Sequence, residues 1–376
     1  MANVRKHGWC SAAIVGVGLI AATAASADDA GSFGKPGDPV KLTVGYQPYY
    51  TEAWSAVVMK AKGFWKQRLP QGSEVTFEPG LQGSVVVGEM IAGKEQIGYM
   101  GDMPAIVASA KPEVADIRIV AVLGTSQQQC NVFLVRKDAP EFKTAEEAVK
   151  WFDGKTVASP QGSCTDRFAR KVFQKLGVKP GKYFNQGADA IAENFNNGKL
   201  DAAVLWEPMP SKFVEDGVAR RVASGVNFNE SDAGFMAMRQ DLIAARPDIE
   251  RAWLEAELDA QLFIADPKNA GEIAKMAEAE AKGYSAKTLW QALYRDHPAA
   301  IGGGPDRLTL DFVITDKVKA QIDDATSFLF ELKRVPAQTL RAEAFADDVA
   351  RQVLADRKLK SPVGVVKSQA ETAFTQ

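Results

Sequence analysis

The chain has 376 residues, 46% hydrophobic and 24% charged, with 31 Gly and 18 Pro spread along it, a mix that buries cores large enough for two domains and excludes a disordered or fibrous chain. Lys and Arg number 45 against 47 Asp and Glu, so the basic excess of a nucleic-acid binder is missing. The only histidines are His7 and His297, which removes His-rich metal sites and the Ser/His/Asp and Cys/His triads, and with them much of enzyme chemistry.

Residues 1–27 read as a signal peptide. Arg5 and Lys6 form the positive region, 11–22 is a small-apolar stretch, and Ala25-Ser26-Ala27 places cleavage after Ala27. The stretch falls short of the roughly 20 residues needed to span a bilayer. Cys10 precedes it and cannot carry a lipoprotein's lipid. Export leaves Cys130 and Cys164. An even count in an oxidising compartment favours a disulfide; the competing arrangement is two free thiols, with Cys164 activated at a helix start.

In the mature chain a Gly/Pro-rich leader, 28–39, precedes strand 40–47, where Leu42, Val44 and Tyr46 alternate with Lys41 and Thr43. Helix 52–66 follows, with Trp54, Val57, Val58, Ala61 and Trp65 at helical spacing, which marks Trp54 as a packing residue. The pattern repeats: strand 74–78, Gln82-Gly83-Ser84, a helix through Ala92; then strand 97–100, Gly101-Asp102-Met103-Pro104, a helix through Ala110. Such units predict mainly parallel sheets flanked by helices. Between strands 117–123 and 132–136 the polar stretch 125–131 reads as a crossing between domains. The plan then restarts: helix 144–152, strand 156–158, loop 160–163, helix 165–176, a strand at 183–184, helix 190–196, and strand 202–205 leading into Trp206-Glu207-Pro208. A strand at 235–239 is expected beside 132–136. Helices at 247–264, 268–282, 286–294, 315–331 and 339–354 are expected to cover the first sheet, with a loose tail behind them. The resulting division is 1–27 signal peptide, 28–130 first part of lobe 1, 131–245 lobe 2, 246–357 helical return over lobe 1, and 358–376 tail. The hinge residues would be 129–131 and 231–234.

Ligands of open α/β sheets bind at the carboxyl ends of the strands, beside helix N-termini whose free N–H groups attract anions. The loops at those ends carry Gln47, Tyr49, Gln82, Ser84, Asp102, Gln161, Ser163, Thr165 and Trp206. Taken singly, Ser84, Ser163 and Thr165 read as ordinary N-caps; their common placement makes them a candidate anion site. The aromatic residues Tyr49, Tyr50, Trp54 and Trp206 suit an organic group better than bare nitrate. Asp102 and Glu207 could accept an ammonium or could cap helices. Arg167 could pair with an anion or face solvent. Cys164 as a nucleophile would need a base, and His297 is the only mature histidine.

Four segments, Leu42-Thr43-Val44-Gly45-Tyr46-Gln47, Ile97 to Pro104, Gly162-Ser163-Cys164-Thr165 and above all Asp201 to Pro208, resemble the periplasmic substrate-binding proteins of ABC importers in the nitrate, sulfonate and taurine branch. The resemblance covers nearly the whole mature chain. It implies a two-lobed type II binding protein with the ligand cleft between the lobes, periplasmic and monomeric, without a cofactor, metal or catalytic residue. Such a protein captures a small organic anion, a sulfonate or small carboxylate, and delivers it to an ABC permease in the inner membrane. Carried over, the ligand-binding set is Gln47, Tyr49, Gln82, Ser84 and Asp102 in one lobe and Gln161, Gly162, Ser163, Thr165, Trp206 and Glu207 in the other. Cys164 departs from the small hydroxyl or Gly expected in its loop; a bridge to Cys130 would tie that loop to the crossover. The alternatives are a nitrate, bicarbonate or thiamin-precursor pyrimidine binder of the same fold, and a periplasmic ligand sensor.

Overall fold

The computed structural model describes residues 33–374, so the expected signal peptide and its expected cleavage point lie outside the described residues. Two sheets organise the chain. The first has seven strands in the order Gly364–Lys367, Asp306–Leu310, Ile117–Ser126, Asp232–Arg239, Ile97–Gly101, Lys41–Tyr46 and Glu74–Pro79. Lys41–Tyr46 runs parallel to both its neighbours, and Asp232–Arg239 antiparallel to both of its own. The second has five: Lys182–Asn185, Thr156–Ser159, Ala202–Leu205, Val132–Arg136 and Ala219–Ser224. Its first three strands are parallel, and Val132–Arg136 is antiparallel to both neighbours.

Each sheet buries apolar residues on both faces, as helix-covered sheets require. In the first lobe Trp54 and Trp253 are fully buried. Trp54 packs as its helical spacing predicts and donates to the Pro48 carbonyl at 2.9 Å. Trp253 donates to the Tyr99 hydroxyl at 2.9 Å, which in turn bonds Glu257 at 3.0 Å, so these polar tips are satisfied inside the core. The second lobe centres on Phe133, ringed by Phe152, Phe168, Phe173 and Phe228. The chain crosses between sheets at 127–131 and again at 229–231.

Several expectations need correction. The strand expected beside Val132–Arg136 pairs instead with Ile97–Gly101 and Ile117–Ser126 in the first sheet, because the second crossover is complete by Ser231. Residues 232–234 are therefore paired strand and cannot serve as hinge. The stretch 339–354 is not one helix: a short turn, Ala342–Ala344, precedes helix Asp348–Asp356. The tail is not loose, since Gly364–Lys367 adds an antiparallel edge strand to Asp306–Leu310. The remaining predicted helices form, Pro247–Ala265, Ala270–Glu280, Ala286–Tyr294 and Asp316–Glu331, the last capped by the Thr315 side chain.

Candidate functional site: the cleft between the two sheets

A cavity of about 680 Å³ lies where strand ends of the two sheets face each other. Two helix N-termini open onto it from opposite sides: Gly83–Ile91 of the first lobe and Cys164–Leu176 of the second, neither capped by a side chain. The first N–H groups of a helix have no carbonyl within it to bond, so both ends attract anions. Gly83 is required where it stands, because a Cβ there would come within 2.4 Å of Pro104 and 3.0 Å of Gln47 Oε1. The second loop turns at Gly162, whose φ of +79° is the left-handed region that favours glycine.

The second loop is stiffened from behind. The Gly162 N–H donates to Asp166 and the Gln161 N–H to Asn185, each at 2.9 Å. The Ser163 hydroxyl donates to the Pro160 carbonyl at 2.5 Å and lies 2.7 Å from Thr165 Oγ1, itself 2.9 Å from Ser159 Oγ. These hydroxyls are committed to one another, which leaves the backbone N–H groups of the helix start as the anion donors. Cys130 and Cys164 form a disulfide with Cα atoms 6.1 Å apart, tying this helix start to the first crossover. Gln47 is buried, lines the cavity, and its Oε1 has no partner in the protein. The Trp206 ring forms part of the wall, and its Nε1 donates to the Tyr49 carbonyl at 3.0 Å, joining the lobes.

Of the residues singled out from the sequence, Gln47, Gln82, Ser84, Gln161, Gly162, Ser163 and Trp206 line the cavity. Tyr49, Asp102, Thr165 and Glu207 do not, and each has a physical reason. The Tyr49 ring packs on Tyr284. Thr165 sits in the buried hydroxyl chain. Glu207 takes Arg221 at 3.2 Å on one oxygen and the Ser211 N–H at 3.1 Å on the other. Asp102 faces Arg167 at 2.6 Å across the lobes, with side chains 3% and 4% exposed. Arg167 neither points to solvent nor meets the cavity: its other nitrogen bonds Asp324 at 3.0 Å. The cysteine-nucleophile route is closed, because the Cys164 sulfur is bridged and burial, followed by the charges of Arg221 and Arg307, drives His297 well below its ordinary value.

Behind the cavity wall three buried carboxyls, Glu52, Asp102 and Asp232, gather around Arg167 and Tyr50. The Tyr50 hydroxyl bonds Glu52 and lies 3.2 Å from Asp232. Burial first, and the charge of Asp102 second, push Asp232 up to about 8. Burial, then Asp232, holds Glu52 well above its ordinary range. One guanidinium cannot neutralise three carboxylates here, so burial and mutual repulsion favour the protonated forms of Glu52 and Asp232.

The rest of the wall was missed in the sequence: Val87, Gly88 and Ile91 on one helix, Met103, Pro104, Val107 and Lys111 on and after Asp102–Ser109, and Leu329, Lys333 and Arg334 at the end of Asp316–Glu331. The spacing of Ser84, Val87, Gly88 and Ile91 along one helical face is a signal that could have found the first group. Nothing local points to Lys333 and Arg334, which arrive from far along the chain.

Residues 35–278 match the model of the NMT1-like family. The taurine-binding periplasmic protein of Escherichia coli is 26% identical over 311 residues, covering 79% of this chain and 88% of that protein. The alkanesulfonate-binding protein SsuA of Xanthomonas axonopodis, solved with MOPS, superposes with a TM-score of 0.64 at 20% identity, covering 83% of this chain and 99% of that one. The desulfurization enzyme DszB shares the fold as well, with a TM-score of 0.61 at 15% identity over 84% of this chain and 99% of that one. With the family model matching well over half its length, the chain belongs to the NMT1-like family.

Proposed function

We propose that this protein is the extracytoplasmic solute-binding component of an ABC importer, which captures an organic anion, foremost a sulfonate, between its lobes and delivers it to a membrane permease. One observation carries the reading: two uncapped helix N-termini from opposite lobes face a single cavity that, among the described residues, no carboxylate lines. Contacts from both lobes favour the closed arrangement by differential affinity, which suits capture and release. The taurine-binding and alkanesulfonate-binding relatives support the class of ligand. The ammonium of taurine finds no acceptor carboxylate on this wall, because Asp102 and Glu207 are committed elsewhere. A cavity in the range of drug-sized sites, about 300–1,000 Å³, with apolar walls, is poorly matched to nitrate or bicarbonate.

A thermal-shift panel tests this. Alkyl and aryl sulfonates should raise the melting temperature, with stabilisation of about 2.7 kcal/mol at a hundredfold excess over Kd. Ethanesulfonate should outperform taurine, and nitrate, bicarbonate and pyrimidines should leave the transition unmoved. A shift by pyrimidines alone would replace this reading with that of a vitamin-precursor binder.

A further inference from the structure

The cavity does not end at the two helix N-termini. It follows one face of helix Gly83–Ile91 and one face of Asp102–Ser109, taking Val87 and Ile91 from the first and Val107 from the second. At 1.5 Å per residue the trough from Gly83 to Ile91 is ~12 Å long. Its far end therefore lies at helix C-termini, where the macrodipole is negative and would repel an anion. That end nevertheless carries Lys111, Lys333 and Arg334. Two other cations, one on helix Asp316–Glu331 and one beyond it, are paired, Lys319 with Asp323 and Arg341 with Asp116. Among the described residues, these three have no carboxylate within ion-pair distance, and no Asp or Glu lines the cavity.

We infer that the site has two charged ends and takes a linear organic dianion: a sulfonate at the paired helix N-termini, a second sulfonate or carboxylate beside Lys111, Lys333 and Arg334, and an apolar chain between them along Val87, Ile91, Val107 and Leu329. The inference rests on the organic-anion reading above. Cations at helix C-termini also complement the macrodipole, but that role alone would change stability and leave ligand preference untouched.

Titration calorimetry of the disulfide-intact protein with 1-octanesulfonate and octane-1,8-disulfonate separates the two. An extended chain advances ~1.2 Å per bond, so the nine bonds between the two sulfur atoms span ~11 Å. The disulfonate should bind about tenfold more tightly, the scale of a few exposed ion pairs acting together. The difference should shrink as salt is raised. In the triple variant Lys111→Gln, Lys333→Gln, Arg334→Gln the monosulfonate should keep its affinity within about twofold, as expected for surface changes, and the preference for the disulfonate should vanish. Equal affinities in the parent protein, or a preference that survives in the variant, would overturn the inference and leave the organic-anion reading standing. Binding of neither ligand would overturn both.

Discussion

Arg167→Met should lower the free energy of unfolding by about 3–5 kcal/mol, the cost of removing one partner from a buried ion pair. The guanidinium contacts Asp102 at 2.6 Å, Asp324 at 3.0 Å and the Ser231 carbonyl at 3.3 Å. Without it, the Asp102 carboxyl, raised by burial even with Arg167 beside it, is left buried without its counter-charge and donor next to Glu52 and Asp232. Adding Asp102→Asn should restore part of the loss, because the unpaired buried carboxyl goes with it. Urea unfolding of the single and double variants measures both; a loss below about 1 kcal/mol in the single variant would place Arg167 among ordinary exposed pairs. The same residue joins the start of helix Cys164–Leu176 to the start of Asp102–Ser109, so the pair holds the two lobes in register at the base of the cleft.

Stability should fall as pH rises from 6 to 8. The folded protein keeps a proton on Asp232 up to about pH 8, whereas the unfolded chain has released it near the ordinary carboxyl value. The folded state thus binds more protons across this window, and each such proton costs about 1.4 kcal/mol of stability per pH unit. Asp232 alone accounts for about 2–3 kcal/mol between pH 6 and 8, and Glu52 adds a slope of the same sign. Groups facing this pair are Tyr50, Asp102 and Arg167, and Arg167 pulls the Asp232 value the other way. Urea unfolding at a series of pH values should show the decline, and Asp232→Asn should remove about one proton's share of the slope. A flat or rising profile would mean that both carboxyls are ionised in the folded state.

Much of this architecture is legible in the sequence, and the failures have a common physical form. Leu42, Val44 and Tyr46 alternate because one strand faces two layers, and Gly63 and Gly177 stop their helices in the left-handed conformation. Such signals are local. Which strand Phe235–Arg239 joins is not local, and neither is the pairing of Gly364–Lys367, since both depend on partners a hundred or more residues away in some cases, such as Ser126 for Asp232. The loops of the site were found because helix starts after strands are recognisable. The direction of each side chain within them was not: Asp102 and Thr165 sit at the same helix starts as the cavity-lining residues yet point into the protein, toward Arg167 and Ser159. A titratable residue in such a loop reads the same whether it faces the ligand or braces the wall. Lys333 and Arg334 reach the cleft only through the packing of helix Asp316–Glu331, which brings a distant turn against the first lobe.

The most direct test of the cleft as an anion site is calorimetric titration of 1-octanesulfonate into the disulfide-intact protein, its Gln47→Ala variant and its Trp206→Ala variant. The parent protein should bind at a single site, and each variant should bind at least about tenfold more weakly, a loss near 1.4 kcal/mol, while melting cooperatively. No heat of binding to the parent, or unchanged affinity in both variants, would contradict the placement of the anion between the two helix N-termini.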